Sequence, residues 1–369
     1  MDKLRVIVSG GGTGGHIYPA MALIKRLKQR DMIEDVLYVG TEKGLESKIV
    51  KQAGLKFETI EISGFKRKLT VENIKVMQLF LSSIGKSKKI IKNFKPDIVI
   101  GTGGYVSSAI VYAAHSKHVP TVIHEQNTIA GVTNKFLGHF VDKIAIAFKE
   151  AQNQFSEKRK IVFTGNPRAQ EVVGIKPNDR LKELGLKSGV STVMIFGGSR
   201  GATPINNAAI NAMDKFLNEN YQVLFITGQA HFEAATKKID KKYLNSENIS
   251  VLPYIDNMPE ILPDINLIVG RSGATSIAEI TALGIPSIFI PSPYVTHDHQ
   301  TKNAMTVAQN GAAKMIPEAE LTSELLFDEI NKIMNDSDTR LKMSKASKEI
   351  GVPDAADRLI KVLTDLVNK

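Results

Sequence analysis

The chain contains no cysteine, which removes disulfides, thiolate zinc sites and cysteine nucleophiles and makes a reducing compartment the natural expectation. Tryptophan is also absent and aromatic residues make up only 6% of the sequence, so a stacking surface for single-stranded nucleic acid finds no support. No apolar run approaches the length needed to span a bilayer. The short stretch Met1–Arg5 ahead of the first glycines predicts no signal peptide. A soluble, cytoplasmic protein is expected. Acids are in the minority: 38 Asp and Glu face 48 Lys and Arg, a net charge of +10. That balance asks for an acidic partner, whether nucleic acid, an anionic membrane face or a polyphosphate substrate. What is present is 43% hydrophobic residues in a chain of 369, enough for a large core and long enough for two domains.

The stretch that organises the reading is 270–279, Gly-Arg-Ser-Gly-Ala-Thr-Ser-Ile-Ala-Glu. It follows the apolar run 265–269 and leads into helical spacing at Ile277, Ile280 and Leu283, so it reads as strand, tight turn, helix. Such a corner points free backbone amides and the positive end of a helix dipole out of a sheet, and Gly273 allows close approach of a phosphate near Ala274 and Thr275. Glu279 lies four residues after Thr275, on the same helix face, where its carboxylate can accept from two ribose hydroxyls. The same residues also read as a helix capped by Ser272 or Thr275 with Glu279 in solvent.

Other corners resemble this one. Leu4–Val8 is a strand running into Ser-Gly-Gly-Gly-Thr-Gly-Gly-His at 9–16, and Gly10, Gly12 and Gly15 satisfy G-x-G-x-x-G. A nicotinamide site would need an acid about 20 residues on, but Glu42 comes 27 residues after Gly15, so that fingerprint is incomplete. His16 stands at the mouth of this loop, either facing a ligand or packed as part of a helix start. Strands at 97–100 and 121–123 end in Gly-Thr-Gly-Gly-Tyr, up to Tyr105, and in His124-Glu125-Gln126-Asn127. Position 128 is Thr, so the His-Glu pair is not a zincin helix. After a turn at 164–168 the pattern restarts: the strand 192–196 feeds Gly-Gly-Ser-Arg-Gly-Ala at 197–202. Gly197-x-Ser199-x-Gly201 also matches the nucleophile elbow of α/β-hydrolases, with His231, His297 and His299 downstream. The loop 253–258 can offer the main chain of Ile255 to a flat heterocycle. His297 and His299 flank Asp298 as a metal pair would, while the amide of Gln300 suits sugar hydroxyls. Asp336-Ser337-Asp338 has the D-x-D form of metal-dependent glycosyltransferases, but its place between two helices suits capping. Residues 64–95 carry nine basic side chains against one acid, Glu72, interleaved with apolar residues. That is either an ordinary core helix with a solvated face or a surface for anionic lipid.

Taken together, Gly-Gly-Thr-Gly-Gly-His at 11–16, Gly-Gly-Tyr at 103–105, His-Glu-Gln-Asn at 124–127, Gly-Asn-Pro-Arg at 165–168, Gly-Gly-Ser-Arg-Gly-Ala at 197–202, Arg-Ser-Gly-Ala-Thr at 271–275 with Glu279, and 300–304 resemble the MurG family of N-acetylglucosaminyltransferases, essentially end to end. The resemblance implies an α/β GT-B fold: two Rossmann-like doubly wound domains facing a cleft. Residues 1–163 plus 350–369 would form the acceptor and membrane-associating domain, and 164–349 the UDP-GlcNAc-binding domain. It implies inverting transfer of GlcNAc from UDP-GlcNAc to the C4 hydroxyl of the MurNAc unit of lipid I, giving lipid II, with no cofactor, no metal and no nucleic acid. Ile255 would read the uracil, Glu279 the ribose, Ser199, Ala274 and Thr275 the phosphates, and Gln300 the sugar. Thr13, Gly14, Gly15, Asn127 and Arg168 would complete donor binding. One departure is His299, where some members carry a second glutamine. His16 suits the general base, with Glu125 in reserve and Tyr105 orienting the acceptor. The acceptor is lipid-borne, so an anionic membrane surface meeting 64–95 is implied, with a peripheral location on the cytoplasmic face of the bacterial plasma membrane. Competing readings are a same-fold UDP-GlcNAc epimerase, a hydrolase using Ser199 and a nicotinamide enzyme.

Overall fold

A computed structural model of the chain describes residues 3–64, 72–198 and 201–368, for 72–75 the backbone alone. The chain divides into two compact units, 1–168 with 354–369, and 169–353. Each is built on an all-parallel sheet whose strands are near-continuous apolar runs, the composition demanded when helices cover both faces.

The first sheet holds β1 (Leu4–Gly10), β2 (Ile33–Gly40), β3 (Lys56–Thr59), β4 (Ile98–Gly103), β5 (Thr121–Glu125), β6 (Lys143–Ile146) and β7 (Ile161–Phe163) in the order 3-2-1-4-5-6-7. Five helices matter below: α1 (Gly14–Gln29), α2 (Leu45–Gln52), α3 (Glu72–Phe94), α4 (Val106–His115) and α5 (Val132–Gly138). The second sheet holds β8 (Thr192–Phe196), β9 (Gln222–Ile226), β10 (Ile249–Leu252), β11 (Leu267–Gly270), β12 (Ser287–Phe289) and β13 (Ala313–Met315) in the order 10-9-8-11-12-13. Both orders reverse direction beside the first strand, between β1 and β4 and between β8 and β11. At that reversal an open α/β sheet leaves a crevice at its carboxyl edge.

The C-terminal helix, Ala355–Val367, returns to the first unit. It buries Leu359, Ile360 and Leu363 with Leu23, Ile24 and Leu27 of α1. The Asp357 carboxylate accepts from Arg26 Nε at 2.8 Å and Nη2 at 2.6 Å, and from Arg30 Nη1 at 3.2 Å.

The junctions between units fall a few residues beyond those expected, and hydrogen bonding explains why. Thr164 and Gly165 donate their amides to Ile146 O at the end of β6, at 3.1 and 3.2 Å. His124, fully buried on β5, meets Gly165 O through Nε2 at 2.9 Å, while its Nδ1 lies 2.9 Å from the Gln126 side-chain amide. A donor on Gln126 and a carbonyl at Gly165 fit the neutral Nε2–H tautomer. The turn 164–168 is therefore bonded into the first unit. At the other junction, Gly351 packs on the Thr281 carbonyl of the second.

Replacing Asp357 by Ala is expected to lower stability by about 1 kcal/mol, since the bidentate pair is only partly shielded from water; thermal unfolding checks this. Burial holds the His124 pKa below its ordinary 6.5, against a smaller opposing effect of the Gly165 hydrogen bond. A folded-state pKa below the unfolded one means that its contribution is complete above pH 6.5 and lost as pH falls, with a slope of up to ~1.4 kcal/mol per pH unit. Urea unfolding between pH 7.5 and pH 5.5 should therefore show a steeper acid loss in the parent protein than in His124→Gln.

Candidate active site

In the first unit, four chain segments meet at the sheet reversal. β1 ends in the loop 10–13, and α1 starts at Gly14 with Thr13 as an N-cap whose side chain makes no capping bond. The loop is braced from inside: Tyr38 donates to Gly10 O at 2.7 Å, Gly11 N–H to Gly103 O at 3.3 Å, and Gly12 N–H to Glu46 Oε2 at 3.2 Å. Burial, with the Glu46 charge second, pushes the Tyr38 pKa far up, so the phenol stays a donor. His16 Nδ1 lies 2.9 Å from Gly11 O and 3.4 Å from Thr13 Oγ1. Donation from Nδ1–H to the carbonyl leaves the lone pair on Nε2, the tautomer of a general base.

β4 ends against this loop. Gly103 and Gly104 have φ of +107° and +76°; a methyl on Gly103 would come within 2.8 Å of the His16 ring, and one on Gly104 would overlap the Gly11 carbonyl oxygen. Only glycine satisfies both the dihedral and the space. Thr102 Oγ1 donates to His16 O at 2.7 Å, and Tyr105, half-exposed, starts α4.

β5 delivers the third segment. Glu125 is buried, and its two oxygens accept from Asn127 N (3.0 Å), Asn127 Nδ2 (3.4 Å), Gly131 N (3.0 Å) and Asn134 Nδ2 (2.8 Å). This is a clasp that shapes the loop carrying Asn127. The fourth segment is the 164–168 turn. Asn166 Oδ1 accepts from Arg168 N at 3.1 Å, and the Arg168 guanidinium lies over the Tyr18 ring, 5.6 Å from its centre. Thr13, Gly14, Gly15, His16, Tyr105, Asn127 and Arg168 thus all sit at the carboxyl edge of one sheet.

The nicotinamide reading ends here. The Gly11 and Gly12 amides are committed to a carbonyl and a buried carboxylate, where a dinucleotide would need them for its diphosphate. Glu42, the late acid, pairs with Lys51 at 3.2 Å.

The second unit repeats the device with different electrostatics. The loop after β8 includes Ser199, which lies outside the described residues. After β11, Gly273 is the N-cap of the helix Ala274–Leu283 and contributes no side-chain cap, so neither Ser272 nor Thr275 caps it. Ser272 instead donates to Gln300 O at 2.8 Å, and Asn303 Nδ2 donates to Ser272 O at 3.2 Å. The Thr275 hydroxyl oxygen is buried without a hydrogen-bond partner. Glu279 is only 8% exposed, not the solvated residue of the capping alternative. A β-carbon on Gly273 would meet nothing within 4 Å, so the corner is open on that side. Arg271 does not serve it: its guanidinium pairs with Glu318 and donates to Ile290 O at 2.9 Å. Gln300 lies in the first turn of the helix His299–Gln309 and accepts Ser292 N–H on Oε1 at 2.9 Å, which fixes its Oε1 as the acceptor end of the amide. Ile255 is buried in the loop after β10. Among the described residues no cluster of His, Asp and Glu could hold a metal. Asp336 accepts from the amides of Asp338 and Thr339 at 3.0 and 3.2 Å, a helix cap.

Sequence reasoning passed over Glu46 and the residues of α5. Glu46 shares the buried face of α2 with Ser47 and Val50, a helical spacing that marks it as inward-facing.

Among known proteins, the N-terminal domain of glycosyltransferase family 28 matches residues 6–146 and its C-terminal domain residues 192–359. A protein of Latilactobacillus sakei named UDP-N-acetylglucosamine--N-acetylmuramyl-(pentapeptide) pyrophosphoryl-undecaprenol N-acetylglucosamine transferase is 56% identical over 98% of this chain and 100% of its own length. One of the same name from Pediococcus pentosaceus is 57% identical over 98% and 99%. The crystal structure of MurG from Acinetobacter baumannii superposes with a TM-score of 0.76 at 27% identity, covering 98% of this chain and 99% of that one. The UDP-GlcNAc 2-epimerase of Neisseria meningitidis, solved with UDP-GlcNAc, reaches 0.69 at 14% identity over 98% and 99%, a likeness of fold alone. With both domain models matched in order and relatives more than half identical along their whole length, the chain belongs to glycosyltransferase family 28.

Proposed function

We propose that the chain is an inverting transferase that moves N-acetylglucosamine from UDP-GlcNAc to the C4 hydroxyl of the muramoyl unit of lipid I, producing lipid II for peptidoglycan synthesis. The observation that carries this reading is the end-to-end identity of 56% and 57% with relatives named for that transfer. The chemistry breaks the anomeric C–O bond to the diphosphate and forms one to the acceptor oxygen. Positive charge grows at the sugar and negative charge on departing UDP.

The second unit has the groups for the donor. The amides opening the helix Ala274–Leu283 and the partnerless Thr275 hydroxyl suit phosphate oxygens. Glu279 is placed to accept from the ribose hydroxyls, the Ile255 main chain to pair with the uracil edge, and Gln300 to donate to the sugar. Ser199 is assigned to the phosphates with them. Thr13, Gly14, Gly15, Asn127 and Arg168 are the first unit's contribution to donor binding, Arg168 supplying positive charge toward the leaving group. His16 Nε2 takes the acceptor proton, supported by the Nδ1 bond to Gly11 O. Glu125 is less suited to that task because backbone and side-chain amides occupy both its oxygens. Tyr105 orients the acceptor.

A lipid-borne acceptor calls for a membrane face, and the first unit has a candidate. Val76, Ile90 and Ile91 bury the inner side of α3, while Met77 and Leu81 are 47% and 61% exposed. Phe80 meets the edge of Phe136 at 6.3 Å, and Val132 on α5 is 71% exposed. Exposed Lys86, Lys89, Lys92 and Lys135 share these helices, each cation adding about 1 kcal/mol near anionic lipid. Lys66, Arg67 and Lys68 lie outside the described residues. We place the protein peripherally, on the cytoplasmic face of the plasma membrane.

UDP release is expected to require a lipid I analogue; turnover of UDP-GlcNAc without acceptor would transfer the assignment to the epimerases. In that assay His16→Ala should lower kcat by roughly 100- to 10,000-fold with little change in donor KM. Glu279→Gln should raise donor KM on the order of 10-fold. Sedimentation with anionic vesicles should show binding that weakens with salt and is reduced by Leu81→Glu with Phe136→Glu; no binding at low salt would remove the membrane assignment.

A further inference from the structure

Glu46 is a fully buried carboxylate with no part in the chemistry above. It sits in the first turn of α2, and its three bonds converge on two loops. Oε1 accepts from Thr41 N at 3.0 Å and Thr41 Oγ1 at 2.6 Å, and Oε2 accepts from Gly12 N at 3.2 Å. Glycines surround it. A β-carbon on Gly11 would fall 2.6 Å from the carboxylate carbon, one on Gly40 2.8 Å from its Cγ, and one on Gly44 would overlap an oxygen. The loop after β1 and the loop after β2 are therefore both pared down to admit this side chain. The peptide that Glu46 holds through Gly12 N–H is the Gly11–Gly12 peptide, and its other polar end, Gly11 O, is the atom 2.9 Å from His16 Nδ1.

We propose that Glu46 is a positioning residue for His16: by fixing the Gly11–Gly12 peptide it aims the Gly11 carbonyl at Nδ1 and so keeps the imidazole in the tautomer whose Nε2 accepts a proton. The peptide is planar, so its N–H and C=O point in opposite directions, and anchoring one end orients the other. The consequence for catalysis rests on the reading of His16 as the base; the effect on the tautomer does not.

Glu46→Gln is the test. Thr41 presents two donors and Gly12 one, so the amide oxygen stays with Thr41 and the NH2 faces Gly12 N–H, donor against donor; the peptide loses its anchor while the volume is kept. In protein labelled with 15N-histidine, with the His16 signals assigned through His16→Ala, the parent should show the Nδ1–H form. Glu46→Gln should shift toward the Nε2–H form that an unconstrained imidazole favours. In the transfer assay kcat should fall on the order of 10- to 100-fold, with a smaller change in donor KM. An unchanged His16 tautomer in folded Glu46→Gln overturns the proposal. If Glu46→Gln does not fold, Glu46→Met, which removes both acceptor oxygens and nearly keeps the volume, is read by the same signals and the same criterion. A changed tautomer with unchanged kcat supports the positioning of His16 and refutes its role as base instead.

Discussion

A parallel strand that ends in glycine and turns directly into a helix leaves amides with no partner in either element, and a dipole pointing out of the sheet. Everything chemical about this chain depends on where those corners are put. The strand orders place two of them side by side in each unit, after β1 and β4 in one and after β8 and β11 in the other. A right-handed crossover on either side of the first strand carries the covering helices apart and leaves the carboxyl edge open at that point alone. The fold thus supplies a crevice twice, and the residues decide what each crevice binds.

They decide it differently. In the second unit the corner at Gly273 is uncapped, lined by a buried hydroxyl without a partner, and backed by a carboxylate one turn deeper. Arg271, two residues before it, is paired with Glu318, so what the corner itself presents is backbone amides. In the first unit the glycine loop is already filled from beneath by Glu46 and bridged to Gly103. A carboxylate against those amides disfavours a phosphate and favours a fixed backbone, on which a histidine can be held in one tautomer. In the proposed function the same supersecondary device is an anion cradle in one place and a mount for a base in the other. That separation suits a transferase, which must stabilise a leaving diphosphate and deprotonate a hydroxyl without letting either charge cancel the other.

Much of this was legible in the sequence because parallel strands and glycine corners are local signals. Apolar runs bounded by glycine gave the strands ending at Gly10, Gly103 and Gly270, and the spacing of Thr275 and Glu279 gave a shared helix face. What stayed hidden depends on contacts between distant segments. Nothing near Glu46 announces that its carboxylate reaches Gly12, 34 residues away. The turn 164–168 reads as a linker, yet it belongs to the first unit because His124 and Ile146 bond to it. Glu125 looks like a spare base until Gly131 and Asn134 are seen to occupy it. The apolar patch was assigned to 64–95 because charge and hydrophobicity cluster there in sequence; Val132 and Phe136 on α5 join it through the Phe80 contact.

The glycines of the first unit follow from one geometric requirement more than from flexibility. Three loops, after β1, β2 and β4, converge on the same few ångströms, and each must give up side-chain volume for the others to enter. Gly103 makes room for the His16 ring, Gly104 for the Gly11 carbonyl, and Gly11, Gly40 and Gly44 for Glu46. Because each void is filled by a group bonded to the next loop, these positions are coupled: a methyl at any of them displaces a hydrogen bond as well as an atom, and the loss passes to His16 through Gly11. A cluster of small residues at a sheet edge is therefore as exacting as a packed apolar core, and its precision comes from a buried carboxylate, a phenol and a threonine hydroxyl that tie the loops together.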